Sequence, residues 1–258
     1  MIGTVRYGAR AIEGEQTRIL QGALDAVRPG RMAAAFDLDG TLLSNKPRQA
    51  RIVRDFGKKR GIEALARCGP GTIVSWDLRD TMRLCGLDLA QIEALHSDLQ
   101  AYWLARFFTS EYCIDDEPVP GAHDYLDLVL ERGGHILYVT GRHAGMEEGT
   151  LAAFERAGFP RPEIVAATAP PSAARVQLWL KPKLEDDDDR WKEICHDRLH
   201  HMRGIACAFD NEPTHVNGYK RRFPEACVVH LDTDYSPRPV EVLDSIPSIV
   251  DFRMSAES

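Results

Sequence analysis

The chain has 258 residues, 44% hydrophobic and 28% charged, a balance that suits one large globular domain with a smaller insert. Its 39 acidic against 32 basic residues give a net charge of −7, which repels a polyanion at long range and argues against broad electrostatic binding of nucleic acid. No run approaches the roughly 20 apolar residues of a membrane span, the first residues lack the apolar stretch of a secretion signal, and the six cysteines (Cys68, Cys85, Cys113, Cys195, Cys207, Cys227) form no CxxC pair; a cytoplasmic protein with reduced thiols is expected.

In chain order, an amphipathic stretch over 16–27 predicts a helix and the apolar run 32–38 a strand that breaks at Asp39-Gly40. The segment 44–117 has helical periodicity (Ile62, Leu65, Ala66; then Leu89, Ile92, Leu95, Leu99, Trp103, Leu104) and little strand character. A helix over 122–132 follows, stopped by Gly133-Gly134, then a strand over 135–139 running into Thr140-Gly141-Arg142. Further on, the spacing predicts a helix over 147–157 closed by Gly158 and a strand over 176–180. The acidic run 185–189 reads as a solvated loop, and 191–202 as a helix with Trp191, Ile194, Cys195, Leu199 and Met202 on one face. Strands over 204–209 and 226–231 stop at Asp210 and Asp232. Strands separated by helices predict a parallel sheet covered on both faces, an α/β three-layer sandwich, and the helical segment predicts an insert over the carboxyl ends of the strands, where ligands bind.

The chemistry-bearing residues gather at those strand ends. Asp37-Leu38-Asp39-Gly40-Thr41 turns sharply out of the first strand, and the turn lets both carboxylates reach one site. Thr140, Gly141 and Arg142 end the second predicted strand and Asp210-Asn211 a later one. Carboxylate and carbonyl oxygens suit a hard divalent cation such as Mg2+, while hydroxyl, N–H and guanidinium donors suit phosphate oxygens.

On these residues the chain resembles the haloacid dehalogenase superfamily of phosphohydrolases, over roughly 32–43 and 119–235. The resemblance implies a core of 1–43 and 119–258 and a C1-type helical cap of 44–118. It also implies that Asp37 attacks phosphorus, forming an aspartyl-phosphate, and that Asp39 serves as general acid and then base. Thr140, with Gly141 and Arg142, would bind the phosphoryl group; Asp37, Asp210 and the carbonyl of Asp39 would hold Mg2+. Asp39 points to oxygen-linked phosphate, since an alkoxide leaving group needs a proton. Where many family members have a second acid after the metal-binding one, this chain has Asn211, with Glu212 beyond.

The family's phosphate-neutralising lysine has two claimants. Lys181-Pro182 resembles a common form; Asp188-x-x-x-Lys192 resembles polynucleotide 3′-phosphatases of the superfamily. Lys192 stands 18 residues before Asp210 and Lys181 stands 29 before it, and a short helix plus a strand needs about the former, which favours Lys192 with Asp188 orienting it and leaves Lys181 to meet substrate. The expected activity is hydrolysis of a small phosphomonoester. A phosphomutase, a phosphatase acting on nucleic-acid ends and a silent phosphate-binding protein are the alternatives. His123 and His143 read as surface residues, His200 and His201 as a helix C-terminus, and Asp232 and Asp234 as turn residues. Tyr102, Trp103, Phe107 and Phe108 read as the insert's core, with base stacking as the alternative.

Overall fold

The computed structural model describes residues 10–12, 14–29, 32–166, 172–201, 204–234 and 236–254. After helix α1 (Gln16–Ala26) come strands β1 (Ala33–Phe36) and β2 (Leu43–Ser44). Helices α2 (Lys46–Arg60), α3 (Glu63–Ala66), α4 (Leu78–Leu84), α5 (Leu89–Phe107) and α6 (Ser110–Cys113) follow, closed by β3 (Glu117–Pro118). The remainder alternates: α7 (Ala122–Glu131), β4 (His135–His143), α8 (Glu147–Ala157), β5 (Glu163–Ile164), β6 (Val176–Lys181), α9 (Asp188–His201), β7 (Cys207–Asp210), α10 (Pro213–Arg222), β8 (Cys227–Leu231) and β9 (Ser248–Ile249).

Seven strands form one parallel sheet in the order β5-β6-β4-β1-β7-β8-β9, so β1 lies at its centre. Side-chain alternation along β1 divides the core: Ala34 and Phe36 enter one apolar cluster with Leu20 and Leu24 of α1, Tyr125 of α7 and Phe154 of α8, whereas Ala35 enters a second with Trp191 and Leu199 of α9 and Val216 and Tyr219 of α10. Phe36 stacks on Phe209 of the neighbouring strand with ring centroids 4.9 Å apart. The result is a three-layer α/β/α sandwich. None of its helices, among the described residues, is long and apolar enough to cross a membrane, and all six cysteines are unpaired.

Between β1 and β4 the chain leaves the sheet. Strands β2 and β3 pair antiparallel, Leu43 with Pro118 and Ser44 with Glu117, and make a two-strand stem for the five helices α2–α6. Those helices bury a separate core of Ala50, Val53, Phe56, Leu65, Met82, Ile92 and Leu99. Helix α5 opens with a capping box, Asp88 accepting from the Gln91 N–H and Gln91 reaching back to the Asp88 N–H.

Three sequence expectations change. Strand β4 does not stop at Val139 but runs to His143, and between Val139 and His143 it spans four residues where β6 spans only two, Trp179 to Lys181; that irregularity swings Thr140–Arg142 out of the flat sheet. Helix α9 begins at Asp188, because Asp188 and Asp189 suit a helix N-terminus. Its buried face is Trp191, Lys192, Cys195, His196 and Leu199 while Ile194 is exposed; Met202 lies outside the described residues. Helix α10 is absent from the periodicity reading, since its sequence is mostly polar and its buried face includes His215 and Asn217.

Candidate active site

Asp37 is the first residue past β1, and its N–H donates to the Phe209 carbonyl at 2.9 Å, so the sheet ladder continues up to the site. The next five residues form a tight loop in which the Leu38 carbonyl accepts from the N–H groups of Thr41, Leu42 and Leu43. Gly40 is required here: φ is +81°, and a Cβ would meet the Asn211 side chain at 2.5 Å. Asn211 braces that loop, accepting from the Thr41 hydroxyl at 3.2 Å and donating to the Asp234 carbonyl, while Thr233 donates to the Gly40 carbonyl. The carboxylate of Glu212 accepts from both the N–H and the hydroxyl of Ser236, tying down the segment after β8.

Lys192 reaches the site from α9, on the face of the sheet opposite α1, and is almost wholly buried. Its Nζ donates at 2.7 Å to each of three oxygens: Asp37 Oδ1, Asp210 Oδ2 and the Val139 carbonyl. One ammonium thus holds two carboxylates from two adjacent strand ends. Burial, the largest influence on Asp37, pushes its carboxyl up to about 7 in spite of that ammonium. Burial also opposes the charge of Asp210, but Lys192 and His215 outweigh it and hold Asp210 below the usual carboxylate range.

Lys181 lies elsewhere. Its Nζ donates to the carbonyls of Leu184 and Asp186 and to Asp188 Oδ1 at 2.6 Å, closing the acidic loop onto the end of β6. Asp188 therefore pairs with Lys181 and not with Lys192, correcting the sequence expectation. Asp188 still faces Gly141, where a Cβ would stand 3.2 Å from its carboxylate, and both line the same cleft.

Asp39 belongs to a buried four-membered ionic cluster. Arg142 donates through Nε to Asp39 at 2.7 Å and through Nη2 to Asp39 and Asp116; Arg48, from the first helix of the insert, donates to Asp39 and to both Asp116 oxygens. Burial disfavours the Asp39 anion, yet the two guanidiniums outweigh it and hold the carboxyl below its usual range. Thr140 accepts from the Arg142 N–H at 3.1 Å, and Arg142 also reaches the Thr150 hydroxyl. Asp116 holds two buried cations at once, so Asp116→Asn is expected to lower stability by about 3–5 kcal/mol, read as a lower urea midpoint with an unchanged slope.

Arg48, Asp116, His215 and Trp76 were not singled out from the sequence. Arg48 sits among the basic residues of α2, Asp116 follows another aspartate, and no spacing marks either one. His215 stands between Asp189, 3.0 Å from Nε2, and Asp210, 3.5 Å from Nδ1. Burial lowers its proton affinity, but the two carboxylates outweigh that and raise it from 6.5 to about 9. A raised histidine stabilises the fold fully below 6.5 and loses that contribution as the pH rises through about 9. The metal-free protein should therefore lose thermal stability between about pH 7 and 10, and a His215→Gln series followed by circular dichroism in chelator should lack that loss. Asp37 acts with the same sign in a lower window, between 3.8 and about 7.

His123 is half-buried beside Asp124, and His200 and His201 are exposed in the last turn of α9. His143 joins core to insert, its Nε2 lying 3.1 Å from the Phe108 carbonyl. Asp232 accepts from the backbone of Arg10 and Ala11, and Lys46 approaches Asp234.

The donor set fits a small hard cation. Two carboxylates, Asp37 and Asp210, converge on one point, and the main chain of Asp39 turns beside them. Among the described residues no three His, Cys, Asp or Glu side chains group to hold a metal alone. Asp37 and Asp210 would therefore leave much of the shell to carbonyl, water and substrate oxygens, as Mg2+ prefers. Above them opens a cavity of about 290 Å³ lined by Asp37, Asp39, Thr140, Arg142 and His215 on the sheet side and by Arg48 and several aromatic rings on the insert side.

No protein-family model and no curated protein matches the chain. Solved structures similar to it include mutant CbbY from Rhodobacter sphaeroides in complex with xylulose-(1,5)bisphosphate, at 13% identity over 86% of this chain and 95% of that one, with a TM-score of 0.47. A second is a haloacid dehalogenase-like family hydrolase from Streptococcus pneumoniae, at 13% identity over 79% and 85% of the two chains, TM-score 0.41. A third is protein tyrosine kinase A from Mycobacterium tuberculosis, at 14% identity over 84% and 93%, TM-score 0.47. Likenesses of this strength assign no residue a role.

Proposed function

We propose that this chain is a phosphatase of the haloacid dehalogenase superfamily, hydrolysing a phosphomonoester with Mg2+ through an aspartyl-phosphate on Asp37. The observation that carries the reading is the Lys192 ammonium held at 2.7 Å from both Asp37 and Asp210. A nucleophilic carboxylate attacking an anionic phosphoryl group needs positive charge on both, and a buried lysine supplies it without reorganisation. Bound Mg2+ would add charge neutralisation between Asp37, Asp210 and the phosphoryl oxygens.

In the first step Asp37 Oδ attacks phosphorus and the P–O bond to the leaving alcohol breaks, Asp39 delivering the proton that alcohol requires. In the second, Asp39 takes a proton from water, which attacks the acyl-phosphate and restores Asp37. Asp39 ion-paired to Arg48 and Arg142 is held deprotonated, with no proton to give. Those guanidiniums are the natural partners of an incoming phosphate, and their transfer to its oxygens would raise the proton affinity of Asp39 for its first task. The helical insert, as a cap over 44–118, would exclude water while this happens.

Phosphate release from a panel of monoesters, measured with Mg2+ and with EDTA, tests the reading. Metal-dependent release is expected, with a phosphorylated Asp37 trappable by acid quench. Transfer of the group to a second substrate site in place of release would instead make the chain a mutase.

A further inference from the structure

The sheet side of the cavity is charged; the insert side is aromatic. Trp76, in the segment before α4, joins Trp103 and Phe107 of α5 and the adjoining Phe108 to line it. Phe107 and Trp103 stack, centroids 4.2 Å apart at 16°, and Trp76 meets both edge-on, at 5.7 and 6.3 Å. The Arg48 guanidinium lies over the Phe107 ring at 4.3 Å, so the aromatic stack is continuous with the ionic cluster at Asp39. Tyr102 packs on Phe56 in the insert and does not line the cavity.

These rings do more than fill the insert's interior. Trp76 and Trp103 are only half-buried, and they also border a second cavity of about 600 Å³ that Asp77, His96 and Gln100 line. Two indoles that border both cavities put aromatic surface within reach of whatever enters either. The only side-chain polar atoms in the four rings are the indole Nε1 groups of Trp76 and Trp103, both buried with no hydrogen-bond partner. Two consequences follow. The hydroxyls of a sugar phosphate would lose water against this wall and gain nothing, whereas a flat ring would stack. The indole pair is held by packing alone, so it can part around an inserted ring without breaking a hydrogen bond of its own.

Resting on the phosphatase reading, we infer that the substrate is a phosphomonoester whose leaving alcohol carries a planar aromatic ring, as in a nucleoside monophosphate or an aryl phosphate, and that Trp76 and Trp103 are its specificity residues. The polar groups of the second cavity favour a ring with hydrogen-bonding edges.

The test compares a nucleoside 5′-monophosphate, phenyl phosphate and glycerol phosphate in two measurements. One is kcat/KM with Mg2+; the other is tryptophan fluorescence titration of the Asp37→Asn protein, which reads binding without turnover. The ring-bearing esters should be preferred and should quench, and the nucleoside and phenyl arms show which ring the site takes. Trp103→Ala and Trp76→Ala should each lower kcat/KM for the preferred ester about five- to a hundredfold more than for glycerol phosphate, the range that loss of one stacking partner produces. Trp103→Leu and Trp76→Leu, which keep an apolar filler in the insert, should show the same selective loss if the ring face matters. Phosphate release without that preference, or with equal losses on all three esters, overturns the aromatic subsite and leaves the phosphatase standing. Quenching by the ring-bearing esters without release of phosphate from any of them overturns the phosphatase reading and keeps the subsite.

Discussion

Asp37→Asn is expected to abolish Mg2+-dependent phosphate release, lowering kcat by at least about a thousandfold, while the chain stays folded. The amide keeps the shape of the side chain but removes its charge and nearly all its nucleophilicity. Stability should change little, because two terms oppose. The variant loses half of the Lys192 bridge, but it no longer buries a carboxylate that burial pushes up to about 7. Lys192 retains Asp210 and the Val139 carbonyl as partners, so no charge is stranded. Near-normal melting with no turnover and no acid-stable acyl-phosphate is the expected result. Turnover at the parent rate in this variant would sink the nucleophile assignment outright.

Lys192→Ala should be the more damaging of the two lysine variants, in activity and in stability alike. Removing the ammonium leaves Asp37 and Asp210 facing each other in a buried site, a loss of about 3–5 kcal/mol for an uncompensated buried ion. Mg2+ should restore part of that stability, because a divalent cation would answer the same two carboxylates; the metal-dependent shift in melting temperature should therefore exceed that of the parent. Lys181→Ala breaks contacts to Asp188 and two loop carbonyls at the edge of the cleft. With Asp188 half-exposed, its cost should stay near about 1 kcal/mol and fall on substrate binding more than on kcat. A larger fall in kcat for Lys181→Ala than for Lys192→Ala would reverse the roles proposed for them.

The strand ends were readable because burial on both faces makes a parallel strand a short apolar run, and the run must stop where the chain meets solvent. Asp37 and Asp210 each stand at such a stop and meet at the Lys192 ammonium, whereas β4 runs on past Thr140 to His143 and its irregularity brings Thr140 to the cleft beside Asp37. Lys192 was readable by a different argument, from the length of chain needed to reach Asp210. Its neighbour Ile194 misled the helix assignment. Apolar spacing selects a greasy face, but α9 turns toward the sheet edge the face that carries Lys192 and His196. Helix α10 escaped detection for the same reason, since part of its buried face is polar and is stabilised by ion pairs and hydrogen bonds that no periodicity shows.

The chain by itself determined the alternation of strand and helix, the all-helical character of the insert, and the acidic and hydroxyl groups that end the central strands. These follow from local rules, because burial, turn chemistry and side-chain type act within a few residues of one another. Only the tertiary structure decided what pairs with what. Asp188 holds Lys181 and not Lys192; Arg48, nine residues along the chain from Asp39, meets it across the cleft together with Arg142 and Asp116; two tryptophans 27 positions apart close one wall of the cavity. Such partners are chosen by how the insert's helices pack over the sheet, and that geometry depends on many weak contacts between residues far apart in sequence.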